Sequence, residues 1–253
     1  MPKLRVHNLS ISLDGYIAGP DQGPDNPLGV GGMDLHKWVF DTDFGRAMSG
    51  EAPTGAGGLD QQYALAGEVN IGATIMGRNM FGPVRDEWPD HSWTGWWGPN
   101  PPYHHDTFVL THHPRPALEM EGGTVFHFVD DTPEAVLKRA FEAAGGQDVR
   151  LGGGASAVRQ FMRAGLVDEL HLAQVPILLG AGEKIYDDPA TFAGYECTRL
   201  ESSDRVTHLT FTRQGGERRP RRRTDRVAVA SGPDKDAAAR GRRHSGYRIA
   251  RAH

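Results

Sequence analysis

The chain has 253 residues, of which 38% are hydrophobic and 24% charged, a composition typical of a soluble globular protein. Its longest apolar runs fall far short of the ~20 residues that a membrane-spanning helix needs, and its first ten residues lack the apolar core of a signal peptide. A single cysteine, Cys197, excludes an internal disulfide and a cysteine metal cluster. The sequence therefore predicts a cytoplasmic protein without a membrane partner.

The net charge of −4 conceals two oppositely charged parts. Residues 214–253 contain eleven arginines and one lysine against four acids, a net charge of +8, which leaves −12 for residues 1–213. The basic segment has few large apolar residues and no hydrophobic period, so burial cannot offset the entropy cost of ordering it. We expect one folded domain over 1–213 and a disordered tail over 214–253. The composition of this tail favours a solvated segment, and a nucleic-acid-binding arm is the alternative.

Hydrophobic periodicity and turn residues predict the elements of the first half. In chain order they are a strand over 4–12, a helix over 33–40, a polar, glycine-rich stretch over 41–58 with "APTGAGG" as a flexible loop, a helix over 59–67 and a strand over 73–77. An irregular stretch over 82–106 follows, with four tryptophans. The tryptophans over 88–103 are predicted either to shape a flat, aromatic substrate pocket or to pack at a contact between two copies of the chain.

The second half continues the alternation of strands and helices. Its predicted elements are strands over 107–111 and 124–129, a helix to 144 that starts at Thr132-Pro133, a strand over 149–151, a helix over 155–164, a long strand over 168–179 and a hairpin over 195–213. Alternation that ends in an antiparallel hairpin indicates an α/β fold with a mixed, mostly parallel sheet.

Three glycines, Gly152, Gly153 and Gly154, stand between a predicted strand and a predicted helix. The pattern Gly-x-Gly-x-x-Ala matches a loose dinucleotide-binding fingerprint, but the following strand lacks the acid that would hold a ribose at its end. N–H groups at the start of the helix can still bind a phosphate that glycines allow to approach. A tight turn that only packs the helix against the sheet is the alternative.

Two further strand ends carry groups that suit a phosphate. Gly77 and Arg78 follow the strand over 73–77, and an arginine can pair with a phosphate in bidentate fashion. Thr111 and His112 follow the strand over 107–111. Because the carboxyl ends of parallel strands meet at one edge, we expect these groups to converge with the glycine loop there.

These stretches together resemble the dihydrofolate reductase superfamily, in particular the reductase domain of the bacterial bifunctional riboflavin-biosynthesis protein. The resemblance is carried by "SISLDGYIAG", "TIMGRNMFG", "FVLTHHP", "LTFTR" and the long segment "RLGGGASAVRQFMRAGLVDELHLAQVPILLGAG", and it spans residues 4–213. It implies a three-layer α/β/α domain, NADPH as cofactor and hydride transfer to a small heterocyclic substrate. It also implies a homodimer.

The resemblance assigns roles to individual residues of this chain. Gly77 and Arg78 would contact cofactor phosphates, and Thr111 and His112 would lie by the adenosine 2′-phosphate. The glycine loop would hold the pyrophosphate, and the loop after the first strand would cover the nicotinamide. The implied cofactor-binding residues are Ile17, Ala18, Gly77, Arg78, Thr111, His112, Gly152, Gly153, Gly154, Ala155 and Ser156.

Asp14 and His36 are the candidate catalytic residues. The pattern Ser-x-Asp-Gly places Asp14 near the nicotinamide or the substrate, although the same residue can simply shape the turn. His36 on the first helix can donate a proton, and a surface histidine is the alternative. The adjacent pairs His104-His105 and His112-His113 lack metal-ligand spacing, so no metal site is expected.

The sequence leaves several functions open. The leading hypothesis is an NADPH-dependent reductase acting on 5-amino-6-(5-phosphoribosylamino)uracil in riboflavin biosynthesis. The first helix offers Asp34, His36, Lys37 and Asp41 but aligns none of them clearly with the single acid that binds a pterin, so a dihydrofolate or pteridine reductase is an alternative. A non-catalytic NADPH-binding protein is another, and a nucleic-acid partner is not expected.

Overall fold

The computed structural model describes residues 1–55, 57–82 and 86–215. Apart from Gln214 and Gly215, the predicted basic tail lies outside the described residues. The strands are β1 Leu4–Ser12, β2 Tyr16–Ala18, β3 Ile71–Gly77, β4 Asp106–Leu110, β5 Leu118–Glu119, β6 Val125–Val129, β7 Asp148–Leu151, β8 Glu169–Val175, β9 Glu183–Lys184, β10 Tyr195–Ser202 and β11 Thr207–Arg213.

The helices alternate with these strands. The α-helices are α1 Lys37–Phe40, α2 Asp43–Met48, α3 Gly58–Ala66, α4 Arg78–Phe81, α5 Pro133–Ala143 and α6 Ala155–Arg163, and 3-10 turns cover Gly32–His36, Glu121–Gly123 and Pro189–Phe192. Among the described residues, no helix combines the length and the apolarity that crossing a membrane would require.

One nine-stranded sheet organises the domain, in the order β10-β11-β8-β1-β7-β3-β4-β6-β5. The six central strands from β8 to β6 run parallel, whereas β11 pairs antiparallel with β8 and β5 antiparallel with β6. The short strands β2 and β9 form a separate antiparallel pair. The predicted mixed, mostly parallel sheet with a C-terminal hairpin is confirmed.

Apolar side chains of the central strands face helices, and this packing fixes the sheet. Helix α5 starts as predicted, because the Thr132 side chain accepts a hydrogen bond from Ala135 N at 3.3 Å and Pro133 occupies the first turn. Helices α5 and α6 contribute to the largest core cluster together with β1, β3, β7 and β8. A second cluster contains Trp38 of α1 and Tyr63 of α3, and a third surrounds Phe81 of α4.

The structure adds one helix to the predicted elements and shortens one strand. Helix α2 forms in the polar stretch 41–58, where the Thr42 side chain accepts a hydrogen bond from Gly45 N at 3.1 Å. The strand predicted over 168–179 ends at Val175. Pro176 lacks the N–H that would continue the ladder, and the chain then turns so that Ile177 O accepts from Leu13 N at 2.9 Å.

Candidate active site

A cleft with a volume of about 720 Å³ lies at the carboxyl ends of the central strands. The three predicted strand ends meet there, and Gly77 N donates to Gly153 O at 2.7 Å, which joins two of them directly. The predicted cofactor-binding residues that line the cleft are Ile17, Ala18, Gly77, Arg78, Thr111, His112, Gly152, Gly153, Gly154, Ala155 and Ser156.

The glycine loop between β7 and α6 presents a bare backbone to this cleft. Gly153 has a φ of +120°, a backbone conformation that residues other than glycine rarely adopt. A Cβ at Gly154 would meet no atom within 4 Å, and helix α6 starts without a side-chain cap. The Gly153–Gly154 peptide is cis. The first N–H groups of α6 therefore stand beside open space, as an anion-binding helix terminus requires.

Arg78 lies at the start of α4 with only 8% of its surface exposed. It donates from Nη1 to Thr111 Oγ1 and from Nη2 to Asp86 O, both at 2.9 Å, and its guanidinium lies 3.2 Å from the ring centre of Trp88. Its Nε is buried without a hydrogen-bond partner. Burial lowers the pKa of Arg78 to about 10, so it stays cationic at neutral pH with its Nε donor unused.

Thr111 and His112 follow the third strand end, that of β4. The Thr111 hydroxyl oxygen accepts from Arg78 Nη1 and from His113 N at 3.1 Å, so its own hydrogen is left to donate. His112 is largely exposed, and its Nδ1 lies 2.9 Å from Asp130 Oδ1. Asp130 and Asp131 also line the cleft. Sequence reasoning missed these acids, although they directly follow a strand that pairs with β4.

His36 is the one ionisable residue of the predicted first helix that lines the cleft. Its Nδ1 lies 3.0 Å from Gly32 O, and because a carbonyl only accepts, this nitrogen carries the hydrogen and Nε2 keeps a lone pair. Burial lowers the pKa of His36. Asp34 instead forms an ion pair with Lys37 at 2.5 Å, and Asp41 pairs with an arginine near the C-terminal hairpin.

Asp14 does not line the cleft. Its carboxylate accepts hydrogen bonds from the Ser12 hydroxyl at 2.6 Å, from Gly180 N at 2.7 Å and from Leu179 N at 3.2 Å. These bonds, the Ser12 hydroxyl first, lower the pKa of Asp14 to about 2. The residue ties the turn after β1 to the segment after β8.

A smaller pocket of about 210 Å³ adjoins the cleft and shares Leu9, Ile17, His36, Met80 and Gly152 with it. We call it the inner pocket. Three of its other lining residues each keep a buried polar atom without a hydrogen-bond partner: His7 Nδ1, Asn8 Oδ1 and Arg150 Nε. Sequence reasoning missed this pocket, because these three residues come from β1 and β7 and no local motif joins them.

Part of the tryptophan-rich insertion reaches the cleft. Trp96 and Trp97 line it together with Phe40 and Met80, and we call these four residues the aromatic wall. The other two tryptophans of the insertion contact neighbouring residues: Trp88 lies against Arg78, and Trp93 donates from Nε1 to Phe81 O at 3.0 Å. Among the described residues, no group of three or more His, Cys, Asp or Glu could hold a metal ion.

A helix terminus, a buried arginine and a free hydroxyl donor at one sheet edge suit an anionic ligand with several phosphates. The fold and this edge define a domain of the dihydrofolate reductase type. Residues 2–209 match the family model of the RibD C-terminal domain, and the chain belongs to that family. The family is one of reductase domains, so membership supports an oxidoreductase. No curated protein sequence matches the chain.

Solved structures share this fold at low sequence identity. A protein of Shewanella sp. PV-4, provisionally assigned to riboflavin biosynthesis, is 20% identical with a TM-score of 0.54, and the match covers 85% of this chain and 100% of that one. A diaminohydroxyphosphoribosylaminopyrimidine deaminase/5-amino-6-(5-phosphoribosylamino)uracil reductase of Thermotoga maritima is 14% identical with a TM-score of 0.50. The match covers 84% of this chain but only 56% of that protein. The predicted fold and family are confirmed.

Proposed function

We propose that the chain is an NADPH-dependent reductase that transfers a hydride to a small heterocyclic substrate. The observation that carries the proposal is the meeting of three strand ends in one cleft, each with donors suited to phosphate. Membership in a family of reductase domains supports it.

The residues present fit NADPH. Ala155 N and Ser156 N at the start of α6 would hold the pyrophosphate above Gly153 and Gly154, where the backbone leaves room. The unused Nε of Arg78 and the Thr111 hydroxyl would donate to the 2′-phosphate, with Gly77 and His112 beside them. Ile17 and Ala18, which line the cleft, would cover the nicotinamide. When bound, NADPH supplies the hydride.

The protein's own groups would orient the substrate and supply the proton. His36 is held in one orientation by Gly32 O, so its Nε2 is presented to a ligand or to solvent protons. Asp14 acts as a positioning residue, because it anchors the loop that leads into β2. The apolar side chains of Leu9, Ile17 and Met80 exclude water from the transfer.

Two narrower substrates follow from the family. The first is 5-amino-6-(5-phosphoribosylamino)uracil, the compound in the name of the Thermotoga maritima protein. The second, dihydrofolate or another pteridine, is disfavoured because Asp34 and Asp41 form exposed ion pairs and only His36 of that segment lines the cleft. A non-catalytic NADPH-binding protein would have the same phosphate site but turn over no substrate.

The test has two stages. Tryptophan fluorescence during titration measures binding of NADPH, and NADPH oxidation is then followed over a panel that contains the phosphoribosylaminouracil, dihydrofolate and simpler heterocycles. Saturable NADPH binding with oxidation that depends on one substrate class supports the proposal. Absence of NADPH binding would refute it, and binding without oxidation on any compound would favour the non-catalytic alternative.

We also propose that the chain is a cytoplasmic homodimer. Strand β10 is an edge of the sheet, and most of its residues are exposed, Leu200 with 64% of its surface. The N–H and C=O groups on the open side of an edge strand can pair with another chain, and the exposed side chain of Leu200 adds an apolar contact. Analytical ultracentrifugation of the wild-type chain and of Leu200→Lys tests this, since the substitution should shift a dimer towards monomer.

A further inference from the structure

We infer that Arg115, through its positive charge, sets the preference of the chain for NADPH over NADH, although it is not one of the residues that line the cleft. The inference rests on the proposed function and deepens it. Arg115 acts through Arg78, which lies beside the proposed site of the 2′-phosphate. It is therefore a positioning residue, and a shared aromatic ring, a buried charge and an unused donor support this role.

Two buried arginines lie against the same tryptophan ring. The guanidinium carbon of Arg78 is 3.2 Å, and that of Arg115 is 4.3 Å, from the ring centre of Trp88. Arg115 has only 9% of its surface exposed, and its guanidinium also lies 5.3 Å from the ring of Phe81 and 4.3 Å from that of Phe128. A planar guanidinium suits this place, because it stacks on aromatic faces. We call Arg78, Trp88 and Arg115 the arginine cluster.

Hydrogen bonds tie the arginine cluster to the strand end of β4. Trp88 donates from Nε1 to His113 O at 2.7 Å, and Arg78 donates from Nη1 to Thr111 Oγ1 at 2.9 Å. Both acceptor residues line the cleft. Since the two guanidinium groups lie against the one ring of Trp88, a change at Arg115 reaches Arg78 through a single side chain.

The two charges of the cluster act on each other. Among the described residues, the hydrogen-bond acceptors of both guanidinium groups are uncharged: the Thr111 hydroxyl and the carbonyl oxygens of Asp86 and Trp93. Burial lowers the pKa of both arginines, and the charge of Arg115 lowers that of Arg78 further, which the Asp86 carboxylate offsets in part. Like charges held close together in a buried place cost free energy, and an anion bound beside them relieves that cost.

The 2′-phosphate is the anion that distinguishes NADPH from NADH. At neutral pH a phosphate monoester carries nearly two negative charges, so beside Arg78 it is attracted by both cations of the cluster. The 2′-hydroxyl of NADH carries no charge and gains little from either. Both guanidinium groups are buried against the ring, and Arg115 Nη1 has no hydrogen-bond partner, so little water screens the charge of Arg115. Arg115 therefore strengthens the binding of NADPH specifically.

Two substitutions of Arg115 test the inference. Arg115→Met removes the charge and keeps a long side chain, whereas Arg115→Lys keeps the charge and loses the planar group. Isothermal titration of each folded variant with NADPH and with NADH measures both affinities. We expect Arg115→Met to weaken NADPH binding roughly tenfold and NADH binding less than about twofold, and Arg115→Lys to keep NADPH binding within about threefold of wild type. Adenosine 2′,5′-bisphosphate and AMP should show the same difference without the nicotinamide.

Arg199→Met is the matched control. Arg199 also lies over an aromatic ring, 5.1 Å from that of Tyr63, but it belongs to β10 and lies outside the cleft lining, so neither affinity should change. If Arg115→Met does not fold, Arg115→Gln takes its place, because a glutamine can still donate to Trp93 O.

The outcomes separate the inference from the proposed function. A ratio of NADPH to NADH affinity that Arg115→Met leaves unchanged overturns the inference, because a purely structural role would affect both cofactors alike. A loss in Arg115→Lys as large as that in Arg115→Met also overturns it, since the charge would then not be the cause. Absence of NADPH binding to the wild-type chain, measured first, refutes the proposed function itself.

Discussion

Two buried polar regions of this domain differ in how completely their hydrogen bonds are made. The first is a chain of side chains formed by His171, His208 and Asp60, which we call the histidine network. The second is the cleft with its inner pocket. Both lie against the same sheet, yet only one of them keeps donors and acceptors unused.

The histidine network is fully satisfied. Asn8 N donates to His171 Nδ1 at 3.1 Å, so His171 must donate from Nε2 to His208 Nδ1 at 3.0 Å, and His208 donates from Nε2 to Asp60 Oδ1 at 2.9 Å. Tyr63 stacks on both rings, at 4.5 and 4.0 Å between ring centres. Burial lowers the pKa of both histidines, that of His171 to about 2. This region stabilises the fold.

The cleft and the inner pocket show the opposite pattern. Five buried side-chain atoms of the described residues lack a partner, and four of them belong to residues that line these two cavities: His7, Asn8, Arg78 and Arg150. Since an unpaired buried polar group costs ~1–3 kcal/mol, it marks a place where a ligand can complete the bonds. Asn8 belongs to both regions, because its backbone serves the network and its amide oxygen faces no partner.

The largest expected effect concerns the glycine loop. Gly154→Val places a side chain where nothing lies within 4 Å, so we expect unchanged thermal unfolding and loss of detectable NADPH binding. Gly153→Val would be a weaker test, because its φ of +120° strains any side chain and folding itself would suffer. Gly23→Val, also in open space but outside the cleft lining, is the control. Normal NADPH binding by folded Gly154→Val would show that the glycine loop does not hold the cofactor pyrophosphate.

His36→Gln should have the next largest effect, about a hundredfold on kcat, as expected for loss of a proton donor. Because burial lowers the pKa of His36, its protonated form is scarce at neutral pH. The wild-type rate should therefore rise as the pH falls below 7, and this rise should vanish in the variant. His91→Gln, an exposed histidine, serves as the control. A pH profile that is the same in wild type and His36→Gln would exclude His36 as the donor.

Arg78→Ala should make the binding free energy of NADPH less favourable by about 1.5–3 kcal/mol, the usual value of a hydrogen bond to a charged group. NADH lacks the 2′-phosphate, so its affinity should change much less. Isothermal titration with both cofactors measures the difference. A similar loss for both would show that Arg78 acts through its packing against Trp88 and Thr111 and not through the phosphate.

Much of the fold could be predicted because its signals are local. The strand-to-helix junctions at Gly77 and Gly152 follow from apolar runs that end in glycine. Helix α2 was missed because its six residues carry too little periodicity, whereas Pro176 was a visible signal that β8 must end. The histidine network joins Asp60, His171 and His208, which are far apart in sequence, and nothing local links them.

The same reasoning explains how far the site could be predicted. The proposed phosphate site lies at strand ends, and parallel strands bring those ends together by rule. The inner pocket depends on the irregular register of β1 between Val6 and Leu9, where Asn8 has a φ of +58°. Such a local distortion depends on tertiary packing, so its polar atoms could not be placed from the sequence.

The histidine network makes its own prediction. Burial lowers the pKa of both histidines in the folded chain below that of the unfolded chain, which is about 6.5, so stability should fall as the pH drops from 7 to 5. His171, whose pKa falls to about 2, contributes about 1–2 kcal/mol over this range. Urea unfolding at several pH values measures the slope. His208→Gln should make the slope shallower and His91→Gln should not, and equal slopes would show that the network does not govern acid stability.

The smallest expected effect tests the acids of the cleft. Asp130 lies beside His112 and near Arg78's partner Thr111, with half of its side chain exposed, so solvent screens its charge. Its carboxylate should repel the 2′-phosphate modestly. Asp130→Asn should strengthen NADPH binding by about 0.3–1 kcal/mol, as for an exposed charge pair, and leave NADH binding unchanged. The gain should shrink in high salt.

Glu119→Gln, an exposed acid outside the cleft lining, controls for net charge. If Asp130→Asn instead weakened both cofactors, the carboxylate would be accepting ribose hydroxyls, and this end of the cleft would hold a ribose where the proposal places the 2′-phosphate.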